Sequence, residues 1–125
     1  MSLDVSLLGK EKRIKCTCNN CGHEHYKIEH EILYEGNVTH NLNIMADAAG
    51  IYEALWRPEE IGAERAKDIT DKLRLGLDLL KNDPEHFKKF NSPNGWGTYE
   101  YFVPFVEKYL NACLKYPDAI IEISR

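Results

Sequence analysis

The amino-acid sequence predicts an α+β fold, in which a small antiparallel sheet packs against three or four helices. Residues 26–34 alternate between two sets of side chains with the period of two that is typical of a half-buried strand. Between residues 37 and 117, apolar residues recur every three or four positions, as they do in amphipathic helices. The alternation returns at residues 119–124. Because strands stand at both ends of the helical part, we expect an N-terminal hairpin and a C-terminal strand to share one sheet.

The length and composition are those of a single folded domain. The chain has 125 residues, of which 43% are hydrophobic and 29% are charged, so it can bury one core. We divide this domain into a β-hairpin with a cysteine knuckle at 1–36, a helical part at 37–117 and a closing strand at 118–125.

The charge and the hydropathy pattern argue against several classes of partner. A formal net charge of −4 gives no general attraction for polyanions, so nucleic acid is not expected, although a local basic group lies within residues 10–15. The longest apolar run, at 101–106, is far too short to cross a bilayer, and the N-terminus lacks the pattern of a secretory leader. We therefore expect a cytoplasmic protein that does not insert into membranes.

Three short strands are predicted around a cluster of cysteines. Residues 3–8 and 12–17 are predicted as strands before the cluster, and residues 26–34 as the strand after it. The cluster itself, CTCNNCGHEH at 16–25, would lie at the tip of a hairpin. Three cysteines within six residues are too crowded for an ordinary disulfide framework and are typical of a metal site.

The spacing of these cysteines predicts a structural zinc ion. Cys18 and Cys21 are three positions apart and are followed by a glycine, which is the loop of a zinc knuckle. Cys16 and His23 complete a set of four ligands, the number that structural zinc prefers, with no position open for a substrate. Other candidate ligands are His25, His40 and Cys113. The alternative is a hairpin whose cysteines hold no metal.

The segment 37–58 is predicted to hold the first helix. Asn37 and Thr39 are residue types that cap helix starts, and a stripe of core-facing residues follows at spacings of three and four. This stripe consists of Leu42, Met45, Ala49, Tyr52 and Trp56. Gly50 is expected to break the helix into two pieces.

Further helical segments are predicted before the closing strand. We expect a one-turn connector at 57–60, a long helix at 63–81, a short helix at 83–89 that Asp83 caps, and a last helix at 98–116 that Thr98 caps. Pro104 should bend the last helix near its start. The buried stripes of the two long helices are Ala66, Ile69, Leu73, Leu77 and Leu80, and Phe102, Val106, Tyr109 and Cys113.

Four residues form a candidate ligand site: His40, Asn41, Arg57 and Trp96. His40 and Asn41 stand at the expected helix start, where backbone N–H groups attract anions such as phosphate. Arg57 can pair bidentately with an anion, and Trp96, which lies between two glycines, can stack on a base. The sequence therefore predicts a site for a small anionic, nucleotide-like ligand. The alternative assigns the same side chains to caps, a hydrogen-bonded histidine and core anchors.

Two long motifs, THNLNIMADAAGIYEALWRPEE and FNSPNGWGTYEYFVPFVEKYL, stand out from the rest of the chain. Together they resemble a family of small proteins of unassigned function found in phages, prophages and bacterial genomes, and the likeness covers residues 35–125. The resemblance implies a phage-related protein. The CxxCGH segment is similar to a knuckle of zinc ribbons, although this sequence lacks the second cysteine pair that those proteins use.

Two classes of function follow from these patterns. The first is a non-enzymatic binding module for the small anionic ligand. The second is a protein–protein interaction or oligomeric adaptor protein, including a homo-oligomer, that uses the knuckle hairpin or the aromatic residues Tyr99, Tyr101 and Phe102. An enzyme is less favoured: His40 and Asp47 can act as an acid–base pair, but no GxSxG, HExxH or phosphate-loop motif is present to which a reaction can be assigned.

Overall fold

The structure is a computed structural model of the chain, and it describes residues 2–17, 24–93, 95 and 97–125. At residues 11–17 and 24–29 it describes the backbone alone. A three-stranded antiparallel sheet and the helices that pack against it form an α+β fold, which confirms the predicted fold class.

The sheet has the strand order β2-β1-β3, so the first strand lies in its centre. The strands are β1 at Ser2–Thr17, β2 at Glu24–Thr39 and β3 at Ile120–Ser124. The two strands predicted before the cysteine cluster are thus one continuous strand, β1. The closing strand pairs with β1 from Asp4↔Ser124 to Leu8↔Ile120, and the prediction that it joins the N-terminal hairpin is confirmed.

The pairing of β1 with β2 contains a bulge that changes which side chains face the core. The register passes from Leu7↔Tyr34 to Leu8↔Ile32 and so skips Leu33. Leu33 and Tyr34 both pack against the core, whereas Ile32 is 57% exposed. The strict alternation predicted for 26–34 therefore ends at the bulge, because an extra residue shifts the side-chain phase of a strand.

In the described part of residues 40–119, five helices and three 3-10 turns connect β2 to β3. The helices are α1 at Asn43–Ala48, α2 at Tyr52–Trp56, α3 at Thr70–Asn82, α4 at Pro84–Lys88 and α5 at Tyr99–Lys115. The turns are at His40–Leu42, Pro58–Ile61 and Ala66–Asp68. None of the helices in the described part of the chain combines the length and the apolar character that a membrane crossing requires.

The first helical segment begins later than the sequence predicts. Asn37 and Thr39 belong to β2, where they pair with Asp4 and Ser2, and the Asn37 side-chain amide donates to the Asp4 carboxylate. Of the two predicted caps, Thr39 lies at the N-cap position of the His40–Leu42 turn but makes no side-chain cap bond. Asn37 lies inside β2 instead of at a helix start, because long-range strand pairing engages it. The expected break at Gly50, which has a φ of 76°, is confirmed.

The core lies between the sheet and the helices, and it contains the predicted stripes. Every stripe residue predicted for the two long helices is buried. In the first segment, Leu42, Met45, Ala49 and Trp56 are buried and Tyr52 is partly buried. Gly76 of α3 lies directly against the loop after α1, since a Cβ at this position would stand 2.2 Å from Cγ2 of Ile51. This close approach packs α3 onto the first helical segment and so holds that segment in place.

Candidate functional site

Two segments that the sequence singled out meet at the N-terminal end of the helical part. Gly97 has a φ of 97°, and a Cβ at this position would lie 2.9 Å from Cγ2 of Thr39 and 3.2 Å from Cβ of Asn41. Only glycine adopts this backbone conformation readily and allows so close an approach. The glycine-flanked segment therefore packs on the 3-10 turn that follows β2.

A groove with a volume of about 450 Å³ opens beside this contact, and we call it the Gly97 groove. Its described lining consists of Asn37, Val38, Thr39, Leu42, Gly95, Gly97 and Tyr101. The Tyr101 side chain is 73% exposed, although it is a large aromatic group. The groove thus combines an open aromatic ring, bare glycine backbone and the polar side chains of a strand end.

The first turn of α5 forms one side of the Gly97 groove. The backbone N–H of Tyr99 donates to Oδ1 of Asn91 at 2.8 Å, whereas Thr98 is the N-cap residue and makes no side-chain cap bond. Asn91 therefore does the capping that the sequence assigns to Thr98. Since α5 has 17 residues, the positive end of its dipole lies at the groove and favours a negatively charged group.

A second groove continues from the first along the edge of the sheet. It has a volume of about 320 Å³, and it shares Asn37 and Tyr101 with the Gly97 groove. Glu100 and Lys108 of α5 contribute charges of opposite sign to its lining, and Glu100 is also 4.0 Å from Nζ of Lys88. Most of the second groove is lined by β2 and α5, and it adjoins the Gly97 groove at these two shared residues.

His40 and Arg57 belong to a different arrangement, which we call the Trp56 cluster and which consists of His40, Tyr52, Trp56, Arg57 and Arg125. The indole Nε1–H of Trp56 donates to Nδ1 of His40 at 3.1 Å. The Tyr52 ring stacks on the Trp56 ring at a centroid distance of 5.7 Å. Trp56 is fully buried, so His40 satisfies the hydrogen bond of a core side chain.

Two arginines complete the Trp56 cluster. A hydrogen bond with the Tyr52 side chain raises the pKa of Arg57, whose Nε also lies 3.9 Å from a carboxylate oxygen of Glu60. Nη1 of Arg125 donates to the Trp56 carbonyl oxygen and to Oε1 of Glu59, both at 2.8 Å. The bond from Arg125 lowers the pKa of the Glu59 carboxyl group. These contacts tie both guanidinium groups to the protein itself.

The four candidate ligand residues are therefore distributed between the two sites. Asn41 packs against Gly97 and is exposed, and His40 and Arg57 belong to the Trp56 cluster. Trp96 lies outside the described residues, between Gly95 and Gly97. Sequence reasoning found the glycine-flanked segment but did not place Tyr101 in the site. The pattern that indicates Tyr101 is an aromatic residue on the polar side of α5, one position before the buried Phe102.

The predicted zinc ligands fall largely outside the described structure. Cys18, Cys21 and His23 are not among the described residues, and Cys16 is described by its backbone alone. The backbone pairing of β1 with β2 continues to Cys16↔His25 and Thr17↔Glu24, so the residues that flank the segment 18–23 are neighbours. No group of three or more potential metal-binding side chains occurs among the residues that are described. The predicted zinc stays a prediction.

Tyr34 lines the second groove, and it belongs with Tyr109 and Cys113 to a set of side chains that titrate only at high pH. Burial raises the pKa of the Cys113 thiol to about 12 and raises that of Tyr109 well above its ordinary value. Burial also raises the pKa of Tyr34, whose ring stacks on Tyr109 at 5.9 Å. At neutral pH these side chains are uncharged, so Cys113 fits the predicted inert core residue rather than a nucleophile.

Comparisons of the chain with protein-family models, with curated proteins and with solved structures found no match. The resemblance to small phage and bacterial proteins therefore stays a prediction.

Proposed function

We propose that the protein is a non-enzymatic binding module that holds a small, ring-bearing anionic ligand in the Gly97 groove. The observation that carries this proposal is the contact of Gly97 with Thr39 and Asn41, beside a groove of about 450 Å³. Ligand pockets have volumes of roughly 300–1,000 Å³, so a mononucleotide is of suitable size.

The ring of the ligand would stack on Tyr101. An exposed tyrosine offers a flat apolar face, and a stacked base gains about 1–3 kcal/mol from an aromatic partner. The adjacent glycines let a planar group approach the backbone closely. Because Tyr101 is 73% exposed, the free protein leaves this face open to a partner.

The negative charge of the ligand would lie at the N-terminal end of α5. The helix dipole and the exposed side-chain amide of Asn41 both favour an anion there. Arg57 has its described partners in the Trp56 cluster, and in this proposal it stabilises the fold next to the site. This assignment differs from the bidentate role that the sequence suggests for Arg57.

The lining of the groove supports binding rather than catalysis. Among its described residues there is no carboxylate, histidine, cysteine or lysine that would serve as an acid, a base or a nucleophile. Asparagine, threonine and tyrosine side chains are hydrogen-bonding groups that hold a ligand without activating it.

A thermal-shift experiment with adenosine 5′-monophosphate and the other ribonucleoside monophosphates tests this function. A nucleotide at about 100 times its Kd should stabilise the wild type by about 2.7 kcal/mol. Tyr101→Ala should lose most of this stabilisation, whereas Arg57→Ala should keep it. Leu114→Ala is a matched control, because Leu114 is a large residue on α5 that is 48% exposed and does not line the groove.

The proposal fails if no monophosphate stabilises the wild type. It also fails if Tyr101→Ala and Leu114→Ala respond to the nucleotide equally, because the ligand would then bind away from Tyr101. A response that Arg57→Ala abolishes and Tyr101→Ala preserves would move the site to the Trp56 cluster.

We also propose that the hairpin tip binds one structural zinc ion through Cys16, Cys18, Cys21 and His23. Pairing up to Thr17↔Glu24 supports this, because it brings together the residues that flank the segment that carries three of these ligands. Metal analysis of reduced protein that has never met a chelator should give about one zinc per chain. A zinc content near zero would contradict the proposal.

An adaptor function is a second candidate, and the exposed face of α3 favours it. Leu75 and Leu79 are 66% and 51% exposed and lie four residues apart, so they form one apolar patch on the helix. Such a patch is suited to a second copy of the chain or to another protein. If the chain forms oligomers through it, Leu75→Glu should convert them to monomers in a light-scattering measurement of mass; a monomeric wild type argues against self-association.

A further inference from the structure

Another pocket lies farther along β1 from the Gly97 groove, next to Gly9. It has a volume of about 420 Å³ and we call it the Arg65 pocket. Gly9 of β1 lines it, whereas Leu3, six residues earlier, pairs with Val38 of the Gly97 groove. At about 3.3 Å per residue, the two sites are separated by roughly 20 Å along the strand.

The wall of the Arg65 pocket is fixed by backbone hydrogen bonds. The N–H of Ala66 donates to the carbonyl of Ala119 at 2.9 Å, and the N–H of Lys67 donates to the carbonyl of Pro117 at 2.9 Å. Arg65 also forms an antiparallel bridge with Ile120. Residues 117–120, which form one side of the pocket, are thus held by the sheet and by the Ala66–Asp68 turn.

The inner surface of the Arg65 pocket is largely apolar. Leu8, Leu33, Tyr116 and Ile120 contribute to it, and each of them is only partly buried. Ile120 is 37% exposed, so part of its side chain is open to solvent at the pocket. An apolar group that enters the pocket would remove these side chains from water and gain the corresponding hydrophobic free energy.

The charged groups at the Arg65 pocket are predominantly positive. Lys10 and Arg65 line it, and Nζ of Lys115 lies 5.3 Å from the centroid of the Tyr116 ring. Asp118 is the single carboxylate in the described lining, and it is already paired with Nζ of Lys67 at 3.6 Å. The Asp68 carboxylate, which does not line the pocket, accepts from the backbone N–H of Arg65 at 3.0 Å. The described lining itself thus has one cation in excess, in a chain whose net charge is −4.

Within the described part of the chain, the Arg65 guanidinium donates to a single acceptor. Its Nη1 donates to the Asp118 carbonyl oxygen at 2.7 Å, which anchors the guanidinium at the pocket. A guanidinium group carries five N–H donors, so the remaining donors can bind a planar anion. Lys10 is an exposed second cation for the same anion.

We infer that the Arg65 pocket binds a small amphiphilic carboxylate, whose apolar or aromatic body packs on Leu8, Leu33 and Ile120 and whose carboxylate pairs with Arg65 and Lys10. Charge complementarity selects a single negative group at the rim, and the apolar wall selects the body attached to it. This site is independent of the nucleotide-like ligand proposed for the Gly97 groove.

Titration with 3-phenylpropionate, followed by amide chemical shifts, tests the inference. The amides of Ala119 and Ile120 should shift on binding, and 3-phenylpropionamide, which has the same body without the charge, should bind about tenfold or more weakly. Arg65→Gln and Lys10→Gln should each weaken binding of the carboxylate. Arg74→Gln is the charge-matched control, because Arg74 is a half-exposed arginine of α3 that does not line the pocket.

Equal affinities for the acid and the amide would overturn the inference, as would wild-type affinity in both Arg65→Gln and Lys10→Gln. If Arg65→Gln alters the spectrum of the free protein beyond the pocket, Lys10→Gln decides alone, since Lys10 is exposed. Shifts of Gly95 and Gly97 in place of Ala119 and Ile120 would also overturn it, because the acid would then occupy the other site.

Discussion

The Trp56 cluster and the Gly97 groove contain similar kinds of residue, but the structure treats them in opposite ways. In the cluster, Trp56 is fully buried and its indole N–H is bonded to His40. In the groove, Tyr101 is 73% exposed and no described residue covers its ring. Aromatic and polar residues are therefore a structural unit in the first region and an open surface in the second.

Contacts with other residues of the protein, rather than residue types, therefore distinguish a core anchor from a binding group. His40 and Arg57 resemble ligand-binding residues in the sequence, yet each has a partner within the protein. Tyr101 resembles any other aromatic residue of α5, yet its ring faces solvent.

Removal of the two aromatic rings should have very different effects on stability. Trp56→Ala should lower the free energy of unfolding by about 3–5 kcal/mol, because it leaves a cavity in the core. Tyr101→Ala should change it by no more than about 0.5 kcal/mol, as is usual for an exposed side chain. Urea unfolding followed by circular dichroism measures both, and similar losses in the two variants would erase the distinction.

The two glycines of the groove should also differ. Gly97→Ala should cost about 1–3 kcal/mol, because it combines a strained φ with overlap between the new Cβ and Thr39. Gly95 has a φ of 77°, but among the described residues no atom outside its chain neighbours lies within 4 Å of an added Cβ. Gly95→Ala should therefore lower the free energy of unfolding by about 1 kcal/mol through backbone strain alone. Midpoints of thermal unfolding give the order, and a larger loss for Gly95→Ala would show that the Gly97 contact is loose.

His40 should matter through its acceptor atom. His40→Ala leaves the buried indole N–H of Trp56 without a partner, which should cost about 1–3 kcal/mol. His40→Asn keeps an acceptor near the position of Nδ1 and should recover part of that loss. If the alanine and asparagine variants are equally unstable, the hydrogen bond is not what His40 contributes.

The ion pair between Arg125 of the Trp56 cluster and Glu59 should give a small dependence of stability on pH. The folded state lowers the pKa of Glu59 below its ordinary value of 4.5, because Arg125 donates to the carboxylate. This stabilisation is present above pH 4.5 and is lost as the pH falls through the lowered pKa. Thermal midpoints between pH 6 and pH 3 should fall less steeply in Arg125→Gln than in the wild type, and parallel curves would contradict the prediction.

Local patterns were sufficient to predict much of the fold. The stripe from Ala66 to Leu80 reports burial directly, because each residue faces the core at helical spacing. Asp83 caps α4 by accepting from the N–H of His86, as its position before a proline predicts. The alternation around Ile121 and Ile123 likewise predicted a strand, since period two is a local property.

Features that depend on distant partners were not accessible to these patterns. Thr39 has the chemistry of a cap, but its backbone pairs with Ser2, 37 positions earlier in the chain. The bond from Trp56 to His40 also joins separate segments, so the sequence did not show that His40 was already engaged. Gly95 and Gly97 were recognised because glycine is the residue type that adopts a positive φ readily. The exposure of Tyr101 depends instead on how α5 is oriented against the sheet.

The most direct test is an amide and indole chemical-shift titration of the wild-type protein with adenosine 5′-monophosphate. If the Gly97 groove is the binding site, the amides of Thr39, Gly95, Gly97 and Tyr101 should shift together, and the indole N–H of Trp56 should stay in place because it remains bonded to His40. Shifts centred on the Trp56 indole and on Arg57, with Gly97 unchanged, would contradict the account and assign binding to the Trp56 cluster.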